Sequence, residues 1–215
     1  MIDALFFDFD GTLVDSVEVK TSAFAHMFSE FGETVVNKVI GHHRKNGGMS
    51  RYDKFRFYYR NYLDMPLDDQ LMEKLCQRFA DLVEDEVVAA EEIPGAMNFL
   101  DSHYQNTPCV VISAAPEQEL TRIIQRKEWF HYFKYVLGAP VDKEENLKHA
   151  LHLLKVDPSR CIFFGDGLGD HHAARSLVVP FWGIVNGREN PLLSIVPEIK
   201  WSFDFNGVDL KKAFS

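Results

Sequence analysis

The sequence predicts an α/β fold, a doubly wound parallel sheet that carries an inserted helical segment after its first strand. Two observations lead there. Short, nearly continuous apolar runs recur at 4–9 (ALFFDF), 109–113 (CVVIS), 161–165 (CIFFG) and 181–185 (FWGIV), several of them closed by Gly, Asp or Ser. Their length suits buried strands, and the lack of polar alternation suits strands covered on both faces. Helix-like stretches near 117–127, 144–154 and 171–177 fall between the later runs, and such alternation indicates parallel strands joined by helical crossovers.

Residues 17–92 break that rhythm. Aromatic-rich, helix-like sequence such as FRFYYRNYL and LMEKLCQRFADLV fills the segment, and alternation resumes only after Ile93-Pro94-Gly95. The expected organisation is therefore a catalytic core built from 1–16 and 93–215, with 17–92 as a helical cap. Charge is segregated within the insertion. Residues 38–60 hold seven Lys or Arg and the single acid Asp53, whereas 68–92 hold nine acids and two bases.

Composition narrows the partners. With 23 Lys plus Arg against 32 Asp plus Glu the net charge is −9, which disfavours nucleic acid and anionic membrane surfaces. No apolar run approaches the roughly 18 residues of a membrane span. The first residues, MIDALFFDFDG, lack a basic leader. Cys76, Cys109 and Cys161 are odd in number and widely spaced, as expected of reduced thiols. A cytoplasmic protein, monomeric or a small homo-oligomer, is the expectation.

In an open parallel sheet, ligands bind beyond the carboxyl ends of the strands, so the polar residues that end each run belong together. These are Asp8 and Asp10, Ser113, Asp166 and Asp170, with Lys143 after the short run 135–137. Four carboxylates crowded at one edge cannot all stay ionised without a cation among them. Hard oxygen donors with room for water and a phosphate oxygen point to Mg²⁺.

Asp8-Phe-Asp10-Gly-Thr-Leu, Ser113, Lys143 and Gly165-Asp166-x-x-x-Asp170 resemble, in order, the four motifs of the haloacid dehalogenase superfamily. The position of the insertion is similar to that in its phosphoglycolate phosphatase and beta-phosphoglucomutase branch. The resemblance implies a phosphoryl-transfer enzyme acting on a small-molecule phosphomonoester. Asp8 would be the nucleophile and Asp10 the general acid and base. Asp8, the Asp10 carbonyl and Asp166 would hold Mg²⁺, with Asp170 orienting the metal or its waters. Ser113 and Lys143 would bind the transferring oxygens, and Gly11, Thr12 and the Ala114 amide would complete substrate binding.

Lys143 departs from the common Lys-Pro pattern, being followed by Glu144, and Lys148 is the competing lysine. Thr12, where the mutases tend to carry a small branched apolar residue, leans towards hydrolysis. A sugar-phosphate mutase remains the alternative, and a non-catalytic phosphate-binding module a third reading.

Within the insertion, His42-His43-Arg44-Lys45-Asn46-Gly47-Gly48 and Arg51 stand where related enzymes place a specificity loop. Arg44 and Arg51 are the expected substrate contacts, and Gly47-Gly48 would permit close backbone approach. The adjacent histidines read as surface residues. Phe55, Phe57, Tyr58, Tyr59 and Tyr62 read as the core of the insertion.

Overall fold

The computed structural model describes residues 2–185, 187–188 and 190–214. Strand β1 (Ala4–Phe7) has all four residues buried. Four helices follow it: α1 (Val17–Met27), α2 (Glu33–Lys45), α3 (Arg51–Tyr58), which runs on into a π-helical turn over Tyr59–Leu63, and α4 (Asp69–Ala89). None of the described residues among them joins the sheet. Helix α5 (Ala96–His103) returns the chain to β2 (Cys109–Pro116). Then come α6 (Glu117–Arg126), β3 (Tyr135–Ala139), α7 (Lys143–Leu154), β4 (Cys161–Gly165), α8 (Leu168–Ser176), β5 (Phe181–Ile184), α9 (Pro191–Ile195) and β6 (Lys200–Ser202).

The sheet runs β3-β2-β1-β4-β5-β6 with every neighbouring pair parallel. The chain winds outward from β1 in one direction, then returns to β4 and winds outward in the other. The crevice between β1 and β4 is therefore the topological switch point, where ligands bind in this architecture. Period-two alternation fixes the two faces. Leu5 and Phe7 of β1 pack with Val111, Phe164 and residues of α5 and α6, whereas Ala4 and Phe6 pack with Val110, Ile112, Phe163 and residues of α7 and α8.

The predicted strands stand within a few residues of their runs, although β2 continues past Ser113 to Pro116. Strand β6 was not anticipated, because three residues containing Lys200 and Ser202 carry no apolar run. All three cysteines are free, and burial pushes the Cys109 and Cys161 thiols up to about 12.

Within the insertion, Phe24, Phe28, Phe55, Tyr58 and Phe79 are buried against one another, with ring centroids 4.5 Å apart for Phe24 and Phe79 and 5.6 Å for Phe24 and Phe55. The expected aromatic core is thus present, with Phe57 and Tyr62 at its margin. The acidic run is not simply a solvated face. Glu84 and Asp85 of α4 pair with Arg122 and Arg126 of α6 at 2.9 and 2.8 Å, and Lys127 Nζ donates to the carbonyls of Val88 and Ala90. These exposed pairs are individually weak. A buried pair does more: Arg51 of α3 donates through both terminal nitrogens to the Glu119 carboxylate of α6, at 2.8 and 2.5 Å.

Candidate active site

Asp8 leaves β1 at its carboxyl end, its N–H donating to the Phe164 carbonyl of β4 at 2.9 Å. The chain then turns tightly, with the N–H groups of Leu13 and Val14 both directed at the Phe9 carbonyl. Gly11 sits in this turn at φ +80°, and a Cβ there would lie 2.4 Å from Asp166 Oδ2. Only glycine lets the Asp8–Asp10 turn approach Asp166 so closely.

Asp166 follows β4, and Asp170 lies in the first turn of α8, fully buried. Carboxylate oxygens of Asp8, Asp166 and Asp170 lie within 4.8 Å of one another. Lys143, the first residue of α7, reaches into this cluster, with Nζ 2.8 Å from Asp8 Oδ1 and 2.5 Å from Asp170 Oδ1. Asp142 caps that helix through the Glu145 N–H, which fixes where the lysine emerges. Lys148, the competing lysine, is exposed and pairs with Glu145 at 3.7 Å.

Charge in the cluster is unbalanced. Burial raises the Asp8 carboxyl to about 7 against the pull of Lys143, with Asp170 and Asp10 adding to the rise. Burial, then Asp8 and Asp170, push Asp166 well above the ordinary range. Burial disfavours the Lys143 ammonium, but Asp170 and Asp8 more than offset it and its pKa is raised. One ammonium among three close carboxylates leaves excess negative charge, and a hard divalent cation fits this donor set. Asp8 and Asp166 are the available carboxylate ligands. Both Asp170 oxygens are already engaged, one by Lys143 and the other by the Gly167 N–H, which suits an orienting role.

The Asp10 side chain accepts from Ser16 Oγ at 2.6 Å and pairs with Lys20 of α1. Burial would raise its pKa, but Lys20 and the Ser16 hydrogen bond hold it below the ordinary value. Ser113 Oγ accepts from the Ala115 N–H at 3.1 Å.

Asp170 apart, the acidic residues, Lys143 and Ser113 line a cavity of about 430 Å³ between the sheet edge and the helical insertion, a size that suits a small molecule. Asp8, Asp10, Gly11, Ser113, Ala114, Lys143 and Asp166 form its floor, and Arg44, Lys45, Arg51 and Lys54 come from the insertion. The expected residues are therefore mostly brought together. Thr12 is not among the lining residues: it is fully buried, and its Oγ1 has no hydrogen-bond partner among the described residues.

The insertion differs from expectation in four ways. Arg51 lines the cavity, yet its guanidinium is held by Glu119 and stacks 4.5 Å from the Phe79 ring centroid. Arg44 is largely exposed and pairs with Glu18 at 3.0 Å. His43 is buried rather than superficial, because it lies one turn beyond the buried Val39 on the inner face of α2. The close approach allowed by glycine is made to the core itself, since a Cβ on Gly48 would lie 3.2 Å from the Gly169 Cα.

Lys54 escaped the sequence reading. It is 3% exposed, and its ammonium lies 2.9 Å from His43 Nδ1. Burial, followed by Lys20, lowers its pKa to about 7, against opposing pulls from Asp10 and Asp166. Burial, with Lys54 and Lys20 nearby, likewise depresses His43 to about 2, so the imidazole is neutral and accepts the Lys54 proton. A lysine whose folded pKa lies below its unfolded value binds fewer protons when folded, so stability rises with pH between the two values. Lys54→Met is therefore expected to be more stable than the wild type at neutral and lower pH, with the gap closing from about pH 7 towards pH 10. Urea denaturation across that range checks this; a gap independent of pH would contradict it.

A sequence model described as haloacid dehalogenase-like hydrolase matches residues 2–177. The chain is 24% identical over 188 residues to a phosphoglycolate phosphatase of Pseudomonas putida, covering 84% of this chain and 68% of that protein. It is 24% identical over 173 residues to a 6-phosphogluconate phosphatase of Escherichia coli, covering 78% and 75% respectively. Among solved structures, a family IA hydrolase from Entamoeba histolytica superposes with a TM-score of 0.79 at 20% identity, over 99% of this chain and 98% of that one. The parallel sheet with its acidic switch point and the match across most of the chain agree: the protein belongs to the haloacid dehalogenase-like hydrolase family.

Proposed function

We propose that this hydrolase is a Mg²⁺-dependent phosphatase that acts on a small phosphorylated metabolite through a phospho-aspartyl intermediate on Asp8, with 17–92 as a cap over the site. The observation that carries the reading is the position of Asp8, buried at the switch point, touched by Lys143 and flanked by a second acid at Asp10. The two phosphatase relatives support the substrate class. A Mg²⁺ held by Asp8, Asp166 and the Asp10 carbonyl would neutralise charge on the phosphoryl oxygens.

An Asp8 carboxylate oxygen attacks phosphorus as the ester P–O bond breaks, and the leaving oxygen takes a proton from Asp10. Water then attacks the aspartyl phosphate and gives its proton to Asp10, which regenerates the Asp8 carboxylate and releases phosphate. Ser113, the Ala114 amide and Lys143 bind the transferring oxygens, where charge spreads in the transition state. Lys143 also keeps Asp8 correctly aimed. Lys20 must withdraw from Asp10 for the first proton to be carried, because an Asp10 paired with Lys20 is held as the carboxylate. That carboxylate is the form needed to accept the water's proton in the second half.

Phosphate release should be measured over a panel of sugar, acid and nucleotide monophosphates, with Mg²⁺ and with chelator. Release that is lost on chelation and restored by Mg²⁺ is the expected result. Release indifferent to chelator would overturn the metal dependence, and no release from any member would overturn the phosphatase.

A further inference from the structure

Six lysines and arginines line the cavity, and four already have a carboxylate. Lys20 pairs with Asp10, Arg44 with Glu18, Arg51 with Glu119, and Lys143 with Asp8 and Asp170. Of the other two, Lys45 is exposed to solvent, whereas Lys54 is buried and among the described residues no carboxylate pairs with it. Its neighbours are His43 Nδ1 at 2.9 Å, the Gly47 carbonyl at 3.5 Å and the Phe24 ring centroid at 5.7 Å. An ammonium has three donors, and these neighbours use two.

A buried charge is normally paired, because desolvation without a counter-charge is costly. Here the missing counter-charge is on the side of the cavity supplied by the insertion, whereas Ser113, Lys143 and the acidic cluster are on the sheet side. A phosphomonoester whose phosphoryl group lies on the sheet side therefore directs the rest of its structure towards Lys54.

We propose that Lys54, braced by His43, is the specificity residue for the leaving group and selects phosphomonoesters that carry a second anion, a carboxylate, on that portion. This rests on the phosphatase reading above. Binding such a substrate gives Lys54 the counter-ion it lacks and restores its charge. An uncharged hydroxyl in the same place leaves the ammonium unpaired. The lowered pKa of Lys54 is consistent with an incomplete site. The charged groups facing it are Lys20 and Lys143, which disfavour its proton, and Asp10 and Asp166, which favour it, while the neutral His43 imidazole accepts its hydrogen bond.

3-Phosphoglycerate and glycerol 3-phosphate differ only in a carboxylate against a hydroxymethyl group, and they make the test. For the Mg²⁺-loaded wild type, kcat/KM should favour the acid by roughly 30-fold or more, the range for pairing a buried charge. In Lys54→Met that preference should fall to roughly threefold or less. Should the variant fold poorly, the wild type alone decides: its preference should decline from about pH 6 to about pH 9 as Lys54 loses its proton. Wild-type hydrolysis of both esters without preference overturns the inference and leaves the phosphatase standing, as does an unchanged preference in the variant. If the wild type hydrolyses neither, the phosphatase reading is decided by the wider panel of monophosphates and not by these two esters. Calorimetric titration of both compounds into wild type and variant then decides the anion site separately, and equal affinities would overturn it.

Discussion

Asp8→Asn is expected to lower phosphate release by about 10⁴-fold or more, the scale seen when a covalent nucleophile is removed. The substitution keeps volume and one carbonyl oxygen, but an amide cannot form the acyl phosphate. Because Asp8 is a buried carboxylate whose ionisation is disfavoured by its surroundings, neutralising it removes a desolvation cost, and Asp170 still holds Lys143. The variant should therefore melt no lower than the metal-free wild type. Acid-quenched wild type incubated with substrate should carry phosphate on the peptide containing Asp8, and the variant should not. Activity within tenfold of wild type, at the scale of a mere positioning effect, would refute the covalent mechanism.

Glu119→Ala should cost about 3–5 kcal/mol, because it strands the Arg51 guanidinium in a buried site. Both members of the pair are about 95% shielded, with side-chain exposures of 5% and 4%, and the guanidinium is packed on Phe79. The pair joins α3 of the insertion to α6 of the sheet layer, so the loss should appear as lower stability of the whole chain. Replacing both partners together, Arg51→Met with Glu119→Leu, should recover most of it, since apolar groups of similar volume carry no desolvation cost. Guanidinium denaturation of the two variants distinguishes a stranded charge from lost packing: a double variant as unstable as Glu119→Ala would favour packing.

The sheet was legible because its strands are almost wholly apolar and sharply ended, as in CIFFG before Asp166, and because a parallel sheet places the residues after each strand at one edge. The acidic motifs are local in sequence and could be read for that reason. Lys54, Glu119 and His43 could not. Glu119 meets a residue 68 positions away, and Lys54 lies across a cavity from groups of both chain halves. Nothing in the local pattern RYDKFRFY separates the buried Lys54 from the exposed Arg56, although their burial is opposite. Arg51 illustrates the same limit: its position suggests a free cation, and its partner belongs to another layer of the fold.

The contact between Gly48 and Gly169 joins the insertion to the segment carrying Asp166 and Asp170 without a side chain between them. Two backbones in van der Waals contact cannot shift independently. Seating of the α2–α3 loop and the shape of the acidic segment are thus parts of one equilibrium. Thermodynamic reciprocity then requires that the factor by which a ligand on that loop changes cation binding equal the factor by which the cation changes ligand binding.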